Sequence, residues 1–248
     1  MFIDTHCHIH ESDYTLDITA TLQHAHDNHV DQIMCVGTNL DSSRRAIEFA
    51  QKHTEAFATI GVHPHDTKDG WEELRGLIAP GLIVAVGEIG LDYFYNHSPR
   101  ATQINALEWQ IELALKNNLP IIFHVRDAFD DFWPIFDNFN GIRGELHSFT
   151  DNRLHLDEGL KRGLYIGVNG ISTFTKDKVQ QELFASIPLS SLLLETDAPF
   201  LTPAPFRGMV NEPAYIKDIA LVQAQQRGLE IEEIARRTTA NARALFSL

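Results

Sequence analysis

Short apolar or β-branched runs recur along the chain, and most are separated by stretches with helical periodicity. The runs are Phe2–Ile3, Gln32–Val36, Ala56–Ile60, Leu82–Val86, Pro120–Phe123, Arg143–Leu146, Leu164–Ile166 and Leu192–Leu194. Each reads as a strand. Between them, TQINALEWQIELALKN places Ile104, Leu107, Ile111 and Leu115 on one face at helical spacing. Asp41 is the expected N-cap of the helix in SSRRAIEFAQKH. Two helices are expected to close the chain, from Pro213 to about Arg227 and from Ile231 to about Phe246.

Eight strand signals in 248 residues give about 31 residues per strand-and-helix unit, 248 divided by 8. That is the size expected of a (β/α)8 TIM barrel. The pattern therefore predicts an α/β protein with a single barrel domain over residues 1–248. An open doubly wound sheet would carry a glycine-rich turn after its first strand, and this chain has none there.

Composition narrows the class. Apolar residues make up 44% of the chain, enough for a packed core rather than a disordered polymer. No apolar run approaches the roughly 20 residues that span a bilayer, so no membrane partner is expected. The N-terminus shows no basic-then-apolar leader, and Cys7 and Cys35 form no disulfide framework, so the expected compartment is the cytoplasm. The charge, 20 Lys and Arg against 34 Asp and Glu, is −14. This argues against a broad electrostatic grip on nucleic acid. A polyanion held locally by metal ions stays open.

The candidate chemistry begins at FIDTHCHIH. Alternate residues of an extended chain share a face, so His6 and His8 aim at one point while Cys7 turns to the opposite side, into the core. In a barrel, catalytic groups come from the C-terminal ends of the strands. After the third run come His63 and His65, after the fourth Glu88 and Asp92, and after the fifth His124, Arg126 and Asp127. The sixth is followed by His147 and the eighth by Asp197. Six of eight strands thus deliver a metal-competent side chain to one rim. His24, His26, His29, His53 and His155 fall in expected helices and are assigned to solvent, and His10 to a loop.

Four histidines and two carboxylates exceed the needs of one tetrahedral zinc. They suit two divalent ions about 3.5–4 Å apart bridged by a carboxylate. Oxygen ligands admit Mg²⁺ or Mn²⁺, and imidazoles favour Zn²⁺. His65 is either a substrate contact or a loop anchor. Asp92 either caps the next segment or orients a ligand imidazole. Arg126 and Arg207 are either phosphate-binding groups or loop ion pairs. Cys35 and the tryptophans read as packing, and no organic cofactor is implied.

Together DTHCH, GVHPH, GEIGLDY, Arg100-ATQ through LALKNNLPIIFHVRDA, HSF, LLLETDAPFL with RG and NEP behind it, and NARALF resemble the TatD-like metal-dependent deoxyribonucleases, in the family's order from residue 2 to residue 246. The resemblance implies an amidohydrolase-like barrel that cleaves DNA phosphodiesters with metal-activated water. It implies the ligands His6, His8, Glu88, His124, His147 and Asp197, with Glu88 shared between two ions. Asp197 is then the expected base, and His63 contacts substrate or protonates the leaving oxygen. His65, Arg126 and Arg207 are the expected substrate contacts. The chain departs from the family at Thr150 and Asp151, where a small residue and glycine are usual, and at Met209 and Val210, where a basic pair is common.

The expected activity is a 3′–5′ exonuclease on single-stranded or frayed DNA ends. One alternative is an ester or amide hydrolase on the same centre, such as a D-aminoacyl-tRNA deacylase. Another is a silent binding protein with structural metals, against which the open histidine-rich rim argues, since structural sites are usually closed.

Overall fold

The structure, a computed structural model, describes residues 1–78 and 81–248. Its strands are β1 (Phe2–Cys7), β2 (Val30–Val36), β3 (Ala56–Ile60), β4 (Ile83–Asp92), β5 (Ile121–Arg126), β6 (Gly144–Leu146), β7 (Tyr165–Val168) and β8 (Leu192–Leu194). They follow one another in chain order in an eight-stranded sheet. The pairs β3–β4, β4–β5, β5–β6 and β7–β8 are parallel. Parallel neighbours require crossovers, and most of these carry helices. They include α1 (Ile18–Asp27), α2 (Leu40–Lys52), α3 (Arg100–Lys116), α4 (Phe129–Phe136), α5 (Arg153–Lys161), α6 (Ile171–Phe174) and α7 (Lys178–Ser186). The chain closes with α8 (Ile216–Arg227) and α9 (Ile231–Phe246). This is the (β/α)8 topology the pattern predicts.

Two compact units carry it: Met1–Met34 with Ser148–Leu248, and Cys35–His147. In the first, Cys7 bridges Ala198 in parallel register, so the segment after β8 runs beside β1. Cys7 is fully buried, its thiol directed at the Met34 carbonyl 3.3 Å away. In the second, Ile60, Val62, Leu74, Ile83 and Leu113 form a core cluster against which Trp71 and Trp109 pack. Phe123 and Phe132 are fully buried with ring centroids 5.1 Å apart. Burial of each such side chain is worth about 1.5–3 kcal/mol. Among the described residues no helix is long and apolar enough to cross a membrane.

Three local expectations are corrected. β4 runs on to Asp92, so Glu88 and Asp92 lie inside a strand rather than after it. The register shifts between Val86 and Ile89, and pairing with β5 then resumes through Asp92 opposite Arg126. The N-cap of α2 is Asn39, whose side chain accepts from the Ser42 amide; Asp41 sits in the first turn and pairs with Arg44 at 2.8 Å. Leu40, the first helical residue, packs against the core cluster. The buried stripe of α3 includes Gln103 and Gln110 beside Leu107 and Ile111, whereas Ile104 and Leu115 are half-buried. Those two glutamines hydrogen-bond backbone groups of β4 and of the segment after β3.

Candidate metal centre

In the unit containing both termini, His6 lies in β1 and His8 just beyond it. Both are buried, with their Nε2 atoms 3.1 Å apart. Asp197 Oδ1 lies 3.5 Å from His8 Nε2 and 3.9 Å from His6 Nε2. One ligand atom from each of the three falls within 4.8 Å of the others, a set that could hold a metal ion. Two imidazole nitrogens and a carboxylate oxygen converging in this way are the donors a catalytic zinc or related divalent ion takes.

The backbone sets this geometry. The Asp197 amide donates to the His6 carbonyl at 2.8 Å, and the His8 amide donates to the Ala198 carbonyl at 2.6 Å. Asp197 has φ +58°, a left-handed conformation that aspartate tolerates better than most residues. Asn211 fastens the turn, donating to the carbonyls of Thr196 at 2.8 Å and Phe200 at 2.5 Å.

Beneath the set lies Asp4, buried, accepting from the amides of His6 at 3.2 Å and Thr196 at 2.9 Å and meeting the Thr196 hydroxyl at 2.5 Å. Burial pushes its carboxyl up to about 8, against these hydrogen bonds. Between the ordinary value of 3.8 and about 8, the folded carboxyl therefore keeps a proton that the unfolded one releases. Its contribution to stability is full below the lower value and is lost as pH rises through the window. Asp4→Asn, which mimics the protonated acid, should gain melting temperature relative to the parent between pH 5 and pH 8. A difference in melting temperature that does not change with pH would count against a buried neutral Asp4.

In the other unit, Glu88 Oε1 lies 2.8 Å from His124 Nδ1, 3.5 Å from His63 Nε2 and 3.8 Å from His147 Nε2. Here His63, Glu88 and His124 also form a group that could hold an ion. His124 Nε2 and His65 Nε2 each meet Asp92 Oδ2 at 3.0 Å. Asp92 Oδ1 accepts from the amides of Phe94 and Tyr95, both at 3.0 Å. Asp92 therefore caps the following segment and also holds the His124 imidazole in place. Burial opposes its charge, yet hydrogen bonds from His124, the Tyr95 amide and His65 keep its carboxyl well below the usual carboxylate range. Burial disfavours the charged His124 imidazole, but its hydrogen bonds to Asp92 and Glu88 outweigh that and raise its pKa.

His63 is different. Its Nδ1 accepts from the His65 amide at 3.2 Å, so the neutral ring carries its proton on Nε2, facing Glu88. Burial, then the neighbouring His124, push its pKa well down and keep it neutral. His63 is thus built as a hydrogen-bond donor.

Sequence reasoning missed the two buried glutamines that hold these strand ends. Gln103 accepts from the Asp92 amide at 2.9 Å and donates to the Asp92 carbonyl at 3.1 Å. Gln110 does the same for Val62, beside His63, at 2.7 and 3.1 Å. The available signal was a pair of amides seven residues apart, on the buried face of an otherwise apolar stripe.

Among the described residues, neither Arg126 nor Arg207 forms an ion pair. Arg126 lies over the rings of Phe94 and Tyr95, 4.1 and 4.8 Å from their centroids. Arg207 lies 3.8 Å over Phe174 and donates to the Thr202 carbonyl at 2.7 Å. Of the five histidines assigned to solvent, His24, His26 and His29 are exposed, and the other two are not. His53 packs its ring on Phe49 at 4.4 Å, and the His155 side chain is only 15% exposed. His24 is exposed but meets Glu212 at 2.9 Å. His10, in a turn after β1, is buried.

Imidazole and carboxylate sets at strand ends of a (β/α)8 fold define a metal-dependent hydrolase. The chain belongs to the TatD family: residues 3–247 match the family described as TatD related DNase. It is 38% identical to the metal-dependent hydrolase YabD of Bacillus subtilis, over 100% of both chains. It is 36% identical to the 3′-5′ ssDNA/RNA exonuclease TatD of Citrobacter rodentium, over 96% of this chain and 94% of the relative. The crystal structure of YjjV, a TatD homologue from Escherichia coli K12, matches with a TM-score of 0.93 at 30% identity, covering 100% of this chain and 98% of that one.

Proposed function

We propose that this metal-dependent hydrolase is a 3′–5′ exonuclease that removes nucleotides from single-stranded or frayed DNA ends. The observation that carries the reading is the pair of histidine and carboxylate sets: His6, His8 and Asp197 in one unit, and Glu88 ringed by His63, His124 and His147 in the other. The name of the Citrobacter rodentium relative supports the substrate class. His6, His8 and Asp197 would hold one divalent ion and Glu88, His124 and His147 would hold a second, with Glu88 shared as the family resemblance implies. Such ions, Mg²⁺, Mn²⁺ or Zn²⁺, supply Lewis acidity and lower the pKa of water towards neutrality. Asp197 takes the proton of the attacking water, and His63 Nε2–H donates to the departing oxygen. Asp92 keeps His124 in its working orientation. Arg207 and His65 complete the substrate contacts.

The net charge of −14 shapes the binding mode. Beyond about 8 Å the body's repulsion is screened at physiological salt, so a strand end is held at the rim while a duplex gains no broad grip. Few phosphate contacts give a log–log salt slope of about −1 to −2, against about −6 for a protein gripping many. The test follows end-labelled single strands and a closed single-stranded circle across a salt series, with each metal resupplied to stripped protein. Rapid cutting of the circle overturns the exonuclease reading. Turnover of a D-aminoacyl-tRNA, without DNA cleavage by any metal form, gives the centre to a deacylase.

A further inference from the structure

Beside the Glu88 set, the chain after β4 displays a feature that metal chemistry does not need. Phe94 and Tyr95 are 55% and 51% exposed, adjacent, with ring centroids 4.8 Å apart. His97 stacks on Tyr95, centroids 5.7 Å apart and planes 11° off parallel. Arg126 from the end of β5 lies over both aromatic rings. Scattered exposed apolar residues are ordinary; a layered aromatic and guanidinium surface is not. The chain has 34 acidic residues, yet among the described residues none lies within 4 Å of the Arg126 guanidinium. Its charge and its N–H fork remain available.

The surface is also fixed to the site. The amides of Phe94 and Tyr95 are bound by Asp92 Oδ1, whose other oxygen meets His124 and His65. The Tyr93 amide donates to the Arg126 carbonyl at 3.0 Å, tying the two strand ends together. His65 lies 5.4 Å from Tyr95 and 4.6 Å from His97, ring to ring. One carboxylate therefore sets both a histidine of the metal centre and the aromatic surface.

We propose that Phe94, Tyr95 and Arg126 form a nucleotide subsite. A base of the single strand stacks on the exposed Phe94 and Tyr95 edge of the layer, and Arg126 donates to the phosphate beside it. The inference rests on the nucleic-acid reading above and deepens it. Stacking is indifferent to base identity and needs no basic surface, which suits an acidic protein that processes single strands. A duplex, its bases already stacked and paired, gains nothing from the platform.

The experiment compares parent, Phe94→Ala, Phe94→Trp and Arg126→Ala on two end-labelled strands of equal length, one with bases and one abasic at the terminal positions. Phe94→Ala is expected to raise KM about tenfold on the base-bearing strand, with kcat little changed and the abasic strand unaffected. Phe94→Trp should restore the parent KM, and Arg126→Ala should raise KM on both strands. A second readout needs no cleavage: a terminal 2-aminopurine should lose fluorescence on binding the parent, and not on binding Phe94→Ala. Equal KM values for parent and Phe94→Ala on both strands, with cleavage intact, overturn the subsite and leave the exonuclease standing. Quenching that depends on Phe94, without cleavage by any metal form, keeps the subsite and removes the exonuclease.

Discussion

Asp197→Asn should lower turnover by about 10²–10⁴-fold while the fold stands. The carboxylate lies closest to His8 Nε2, at 3.5 Å, and is the only acidic member of its set. Its replacement removes the proposed negative ligand and the proposed base together. The substitution suits the test because the position has φ +58°, and asparagine accepts left-handed backbone as readily as aspartate. The amide that donates to the His6 carbonyl is untouched, so the β1 contact survives. Metal content by elemental analysis, melting temperature and kcat on a single strand separate the effects. Partial metal with collapsed turnover fits the double role; near-normal turnover would remove Asp197 from catalysis.

The residues that reached the site were legible because strands in this fold end abruptly in polar side chains. An apolar run followed by His, Glu or Asp locates a strand end and its cargo at once, as in IIFHVRD and LLLETD. The starts of β3 and β8 were equally plain from their apolar content, whereas β2 begins at Val30, two residues before the expected run. The end of β4 was not plain. Gly87, Glu88 and Gly90 interrupt its apolar pattern, and only pairing with β5 shows that the strand continues. Gln103 and Gln110 escaped for a related reason, since a buried amide looks misplaced until its backbone partner is known. Asp4 sits inside β1 between apolar residues and the histidines, and its carboxyl is explained by Thr196, 192 residues away in sequence. Local periodicity carries no information about a partner so distant. The pairing of Arg126 with Phe94 and Tyr95 likewise joins two strand ends that only the sheet register brings together.

Glu88→Gln should cost both of the proposed metal ions, not one. Within its own unit, Glu88 Oε1 is the acceptor on which His124, His63 and His147 converge, at 2.8, 3.5 and 3.8 Å. An amide there keeps the size but loses the charge, and it offers N–H groups to imidazoles that need an anion or a cation between them. That alone should remove the ion proposed for His124 and His147. If Glu88 is also the carboxylate shared with the His6, His8 and Asp197 set, as the family resemblance implies, the second ion loses its bridge and weakens as well. Ligand binding stabilises a fold by RT ln(1 + [L]/Kd), about 2.7 kcal/mol at a hundredfold excess over Kd. The parent should therefore melt higher when metal is restored, and Glu88→Gln should show almost none of that gain. Stoichiometry by equilibrium dialysis decides the assignment. Near-zero bound metal supports the bridge; one equivalent bound as tightly as in the parent makes Glu88 a ligand of the His124 ion alone.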